Sequence, residues 1–344
     1  MPPPPPYKVC ARAPLRVDLA GGGSDVPAFA AGQGGAAVAA ALELSAHVEI
    51  RLGGKTIRLR AEDRERHVTV GSPADLRYDG DLDPPKAALN MLPVTGGIEI
   101  LTRSDAPPGA GLGERAALNL ALLAALSDCR KETYDATELA EMAFQLETGE
   151  LRRPAGREDP YIAALGGVHL FTFGADAVTA RDLSLDAARL ADLGAHLAVA
   201  YQGRAYAAES ATRKAMDGIA AAEPAVLDAL AGLRDLAAPM AEALEAGDWR
   251  RAGNLFQEAD PFHRVLDPVW SSPPTRALVE AARDAGAWGI KPAGPRAGAS
   301  LAVLAPRERH EAVVAAVRSA GGVVLASALA PRGVLVWRED LPES

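Results

Sequence analysis

Two glycine-rich stretches hold the residue types that could handle a polar or negatively charged ligand. The first, APLRVDLAGGGSDVPAFAAGQGG over residues 13–35, sets Arg16 in the alternating run Leu15-Arg16-Val17-Asp18-Leu19. Gly21, Gly22 and Gly23 follow, then Ser24 and Asp25. Glycine lets a backbone turn sharply and approach a ligand closely. Ser24 and Asp25 offer a hydroxyl and a carboxylate there. The same residues equally suit a strand that ends in a tight turn, with Asp25 capping the helix VPAFAA. The second stretch, Pro107-Pro108-Gly109-Ala110-Gly111-Leu112-Gly113, runs straight into a helix. Backbone N–H groups of such a loop, together with the positive end of the helix dipole, form an anion site. Glu114 and Arg115 come next. A carboxylate beside a phosphate is repelled by about 4 kcal/mol at roughly 4 Å with an effective dielectric near 20. That sign reverses if Glu114 ligates Mg²⁺, which prefers hard oxygen donors. Arg115 can grip a phosphate through two parallel hydrogen bonds. The alternative is a favourable first-turn acid beside a solvated guanidinium.

In order along the chain, these segments resemble the signatures of the GHMP small-molecule kinase superfamily, nearest its heptose-phosphate and fucose kinase branch. RAPLRVDLAGGGSDVP with Gln33-Gly34-Gly35 resembles the first signature, and residues 107–113 resemble the phosphate loop P-x-G-x-G-L-G-S-S-S-A. Gly156-Arg157-Glu158-Asp159-Pro160-Tyr161, followed by Gly166-Gly167, resembles G-x-Q-D-Q-Y-A-A-A-x-G-G. Residues 286–298 resemble the turn K-L-x-G-A-G-G-G-G through Lys291, Gly294 and Gly298.

The resemblance implies an α+β, two-lobed fold, with an S5-like N-terminal domain, a ferredoxin-like C-terminal domain and the site in the cleft between them. It implies ATP-dependent phosphorylation of a hydroxyl on a sugar or sugar phosphate. Asp159 would then be the base or orienting carboxylate that such a transfer asks for, with Arg16 beside it. Gly22, Gly23, Ser24 and Asp25 would bind the acceptor, together with Tyr201 and His263. Pro108, Gly109, Gly111, Leu112, Gly113 and Arg115 would bind nucleotide phosphates, and Glu114 with Glu147 would hold Mg²⁺. The chain departs from the family on the nucleotide side. Glu114, Arg115 and Ala116 stand where the loop carries serines, and Pro295, Arg296, Ala297 and Ala299 replace positions of the last turn. Arg115 and Arg296 thus arrive in two loops that face each other across the phosphates. The alternative reading is a divergent GHMP-fold protein that has lost ATP-kinase activity and binds another phosphorylated or anionic small molecule through them.

The elements that must position these residues read as strands over 7–20 and an antiparallel meander over 45–71. A short helix follows at 87–92, then a strand over 97–105 and an apolar helix after Gly113. Beyond residue 196 come a strand, a run of helices, and a closing strand–helix–strand–strand series, an α+β order. Domain limits of 7–185 and 186–344 follow from the polar, loop-like stretch at 174–190, with residues 1–6 a disordered proline tail.

Composition narrows the partners. A formal net charge of −9 argues against a sequence-independent grip on nucleic acid. Cys10 and Cys129 are the two cysteines of 344 residues, so a disulfide frame is not expected and a reducing, cytoplasmic setting is. The N-terminus MPPPPPYK has no apolar leader core, and no apolar run reaches the roughly 20 residues that span a bilayer. Six scattered histidines show no metal-ligand spacing. A small-molecule substrate is the expected partner.

Overall fold

The structure, a computed structural model, describes residues 7–175, 177–203, 215–294 and 299–340. The proline tail, Arg296 with its neighbours Pro295 and Ala297, and the first part of the helix expected over SATRKAMDGIAA, residues 210–221, lie outside the described residues.

Two sheets organise the chain. The first is built on β1 (Tyr7–Ala20) and β2 (Gly35–Leu52), joined through the short helix α1 (Pro27–Gln33). β3 (Ile57–Ala61), β4 (Arg66–Val70), β5 (Ile98–Ser104), β6 (Val168–Phe173) and β7 (Val178–Asp182) complete its N-terminal part. The order is β12-β1-β2-β5-β3-β4, with β6 on β2 and β7 on β6, where β12 is Leu335–Asp340. Two features differ from the sequence reading. The meander over 45–71 is interrupted, because β5 inserts between β2 and β3 and runs parallel to β3. The final strand also returns to pair with β1, crossing the limit drawn near residue 185.

Helix α2 (Asp83–Met91) provides the crossover that a parallel β3–β5 pair requires. Helix α3 (Glu114–Arg130) then packs on β1 and β2, and α4 (Ala136–Gln145) and α5 (Glu158–Leu165) pack against it. Leu120 to Leu126 are buried without a break, so α3 is apolar on every side at its centre, as a fully enclosed helix must be.

After α6 (Ala187–His196), the second sheet is antiparallel in the order β11-β8-β10-β9. Its strands are β8 (Leu197–Tyr201), β9 (Gly289–Pro292), β10 (Ser300–Leu304) and β11 (Val323–Leu325). Between β8 and β9 the long helical stretch divides at Leu236 and Gly247, and Asp248 caps the helix Trp249–Glu258 by accepting from the Arg251 N–H. β9 ends against β1, where the Asp18 N–H donates to the Ala293 carbonyl. Cys10 and Cys129 are free thiols, which burial pushes up to about 11 and about 12. Among the described residues, no helix is long and apolar enough to cross a membrane.

Candidate active site

Three segments singled out in the sequence meet at Arg16. The side chain leaves β1 opposite Ala41 of β2, whose methyl group leaves width for a guanidinium. Nε donates to Asp159 Oδ1 at 2.7 Å and Nη2 to Asp159 Oδ2 at 3.1 Å. Nη1 donates to the carbonyls of Gly111 at 2.9 Å and Ala293 at 3.3 Å. The Arg16 backbone N–H also donates to the Leu112 carbonyl. One residue therefore fixes the carboxylate, the glycine loop and the turn after β9 relative to one another. Burial works against its charge, and Asp159 and Glu158 more than restore it, so its pKa stands above the ordinary value. The guanidinium is sealed at 3% exposure, whereas the Asp159 side chain is 30% exposed, so the carboxylate remains reachable.

The loop before α3 takes its shape from Gly109, Gly111 and Gly113, all at positive φ of 73–77° where a β-carbon is strained. Gly113 is the N-cap of α3, and a β-carbon there would sit 3.1 Å from Arg16 Cγ. The loop and the helix end thus lie directly on the Arg16–Asp159 pair. On the side of Glu114, a cavity of about 260 Å³ opens, lined by Ala61, Arg64, Leu82, Glu114, Arg115 and Leu118. A smaller cavity of about 50 Å³ is lined by Arg115, Phe144, Glu147, Gly156 and Asp159.

Glu114 and Glu147 each face an arginine. Arg64 donates to Glu114, while Glu147 faces Arg115 at 3.1 Å and accepts from Asn119 at 3.0 Å. The Arg115–Glu147 contact is an ion pair without hydrogen-bond alignment. Both Asp159 oxygens already serve Arg16. Among the described residues, no group of three His, Cys, Asp or Glu is disposed to hold a metal ion. As arranged, Glu114, Glu147 and Asp159 each lie against a guanidinium.

Ser24 and Asp25 hold the glycine turn itself. The fully buried Ser24 hydroxyl donates to the Gly21 carbonyl at 2.8 Å, with the Ala36 carbonyl 3.0 Å away as a second acceptor in reach, and accepts from the Ala36 N–H. Asp25 does not cap α1, whose N-cap is Val26. Its carboxylate accepts from the Gly23 N–H and the Glu158 N–H, tying the turn to the head of α5. A β-carbon on Gly22 would fall 2.5 Å from Asp18 Oδ2 and 2.9 Å from Glu158 Oε2, so that glycine packs on two carboxyl groups. Tyr201 closes β8 opposite Ser300 and packs on the core. His263 is buried with Nε2 unpartnered, and burial, then the charge of Lys291, drives its pKa well down.

Sequence reading missed the groups beneath Arg16. Lys291 donates to Asp18 Oδ2 at 2.8 Å and to the Asp18 and Pro292 carbonyls, all buried. Asp18 lies two residues from Arg16 on one strand, hence on one face, and a second charge in an apolar run was the available signal. Glu158 is fully buried, with neither oxygen hydrogen-bonded and Oε1 3.9 Å from Arg16 Nε, and burial, then the charge of Asp18, lifts its pKa well above 4.5. Arg64 sits on a surface turn that gave no signal.

The family model of the GHMP kinases N terminal domain matches residues 85–167. The mevalonate kinase of Aeropyrum pernix is 30% identical over 272 residues, covering 76% of this chain and 79% of that protein. The D-glycero-alpha-D-manno-heptose 7-phosphate kinase of Campylobacter jejuni is 24% identical over 95% of this chain and 98% of its own length. In three dimensions, a D-glycero-D-manno-heptose 1-phosphate kinase from Bacteriodes thetaiotaomicron superposes with a TM-score of 0.79 at 23% identity, covering 96% of this chain and 98% of that one.

Proposed function

Since the chain belongs to the GHMP kinases, we propose that it transfers the γ-phosphoryl group of ATP to a hydroxyl of a sugar or sugar phosphate. Kinases of this family use ATP, typically with Mg²⁺. The nucleoside occupies the cavity of about 260 Å³, near the lower bound of roughly 300 Å³ for small-molecule sites. Its phosphates run along Gly109, Gly111 and Gly113 to the head of α3, where N–H groups and the helix dipole favour negative charge. The acceptor hydroxyl lies against Asp159. As its oxygen bonds to the γ-phosphorus and the bond to the β–γ bridging oxygen breaks, the hydroxyl proton passes to Asp159. Each carboxylate oxygen has a second lone pair, so pairing with Arg16 leaves capacity to receive it.

The observation that carries this reading is the hold of Arg16 on Asp159 and Gly111 at once, which sets an accepting carboxylate beside an anion loop. Positioning of this kind is most of what phosphoryl transfer needs from a protein. The same pair gives less support to a relative that has abandoned ATP chemistry. An ADP-release assay over heptose 1- and 7-phosphates, fucose, galactose and mevalonate tests it. Turnover with a sugar or sugar phosphate is expected. No turnover with any of them, together with no ATP binding in calorimetry, overturns it.

A further inference from the structure

Arg64 and Arg115 flank the first turn of α3, and each is parked on a buried carboxylate. Arg64, at the end of the turn Glu62–Arg64 between β3 and β4, donates to Glu114 Oε1 at 2.5 Å. Arg115 Nη1 stands 3.1 Å from Glu147 Oε1. The arginine side chains are 45% and 40% exposed, and their carboxylates only 9% and 6%. In both pairs the cation is therefore the member free to swing on a long stem, while the anion is fixed by its surroundings.

The two guanidinium groups also share a location. Both line the larger cavity, and Arg115 in addition lines the smaller one beside Asp159. Arg115 is thus the wall common to the two, and a phosphate chain running from one to the other passes it. Glu114 interacts with the Gly109 N–H, the type of donor that a phosphate oxygen takes. Burial lifts the Glu114 pKa above its ordinary value against the pull of Arg64, so the carboxyl tolerates losing its partner by taking up a proton.

Resting on the kinase reading above, we propose that Arg64 and Arg115 leave their carboxylates to form a two-guanidinium clamp on the nucleotide phosphates, supplying the counter-charge that a divalent cation would otherwise bring. Two guanidinium groups carry the same total charge as one divalent ion. They bind phosphate in planar, two-point geometry and remain charged at any working pH.

The test is isothermal titration of the full-length chain with ATP, in EDTA and in excess Mg²⁺. Comparable affinity in the two buffers is expected. Arg64→Gln and Arg115→Gln should each weaken binding in EDTA by about ten- to a hundredfold, the factor carried by one charge-assisted hydrogen bond. Arg115→Lys, which keeps the charge and loses the fork, should recover part of that loss and guards against an effect of unpairing Glu147. ATP binding that requires Mg²⁺ overturns the clamp and leaves the kinase reading standing. Variants that bind ATP in EDTA as the wild type does also overturn the clamp. ATP binding in neither buffer removes the kinase reading, and the clamp with it.

Discussion

Arg16 and Asp159, 143 positions apart, meet through two hydrogen bonds, Nε to Oδ1 at 2.7 Å and Nη2 to Oδ2 at 3.1 Å. Nη1 reaches Gly111 and Ala293, so both ends of the fork are committed to holding the site together. Its burial means that water cannot replace any of these bonds if the side chain is shortened. The pair is a fold contact between sheet, loop and helix and, in the proposed transfer, the part of the site on which the chemistry depends.

Asp159→Asn keeps the shape and removes the proton acceptor. It should lower kcat by about 10²–10⁴-fold, the usual contribution of a positioned acid or base, with ATP affinity nearly unchanged. Arg16→Lys supplies charge without the fork. It should lower kcat by about a hundredfold, as for a misplacement of roughly 1 Å, and raise KM for ATP because Gly111 loses its donor. Steady-state kinetics separates the two variants. An Asp159→Asn enzyme at wild-type kcat would remove Asp159 from the chemistry.

Asp18 and Lys291 form a buried ion pair linking β1 to β9. Removing one partner leaves an uncompensated charge, so Asp18→Ala and Lys291→Met should each cost about 3–5 kcal/mol in urea unfolding. The double variant should be less destabilised than the sum of the two. Strict additivity would show that the pair is not coupled.

How far the sequence reaches is visible in these residues. The glycine loop left a local mark in its tight-turn residues, whereas the Arg16–Asp159 pair was legible only through the resemblance to the GHMP signatures, which matched both positions. The inward turn of Ser24 and Asp25 was not. A polar side chain in a glycine turn looks the same whether it faces a ligand or its own backbone, and Ala36 and Glu158, its backbone partners here, are 12 and 133 positions away. Alternation along residues 45–71 and 335–340 identified strands but not partners, so neither the insertion of β5 nor the return of β12 to β1 could be read. Arg64 gave no sign because its importance comes only from Glu114, 50 positions on.

Glu158 gives a pH signature with a defined sign. Below pH 4.5 the folded and unfolded chains both hold its proton. As pH rises above that value, the unfolded chain ionises while the folded one, for which burial and then Asp18 lift the pKa, stays protonated. Folding stability therefore falls with pH until the folded pKa is passed, at most by about 1.4 kcal/mol per pH unit. Glu158→Gln removes the titration. Its stability relative to the wild type should rise as pH climbs above 4.5 in urea unfolding. A difference that is constant with pH would mean that Glu158 ionises alike in both states.

Gly156 tests how finely the head of α5 is set. A β-carbon there would fall 1.9 Å from Asp25 Oδ2, the oxygen that accepts from the Glu158 N–H at 2.9 Å. Gly156→Ala must push Asp25 away from α5, and Asp159, the next residue along, moves with it. The overpacking should cost about 1–3 kcal/mol of stability. The displaced carboxylate should lower kcat by about a hundredfold. Gly149→Ala is the control, because a β-carbon there meets only Gln145 Oε1, at an ordinary 3.5 Å. Its kcat and unfolding midpoint should stay near wild type. If the two alanine variants behave alike in both measurements, Asp25 does not position Asp159 through the helix head.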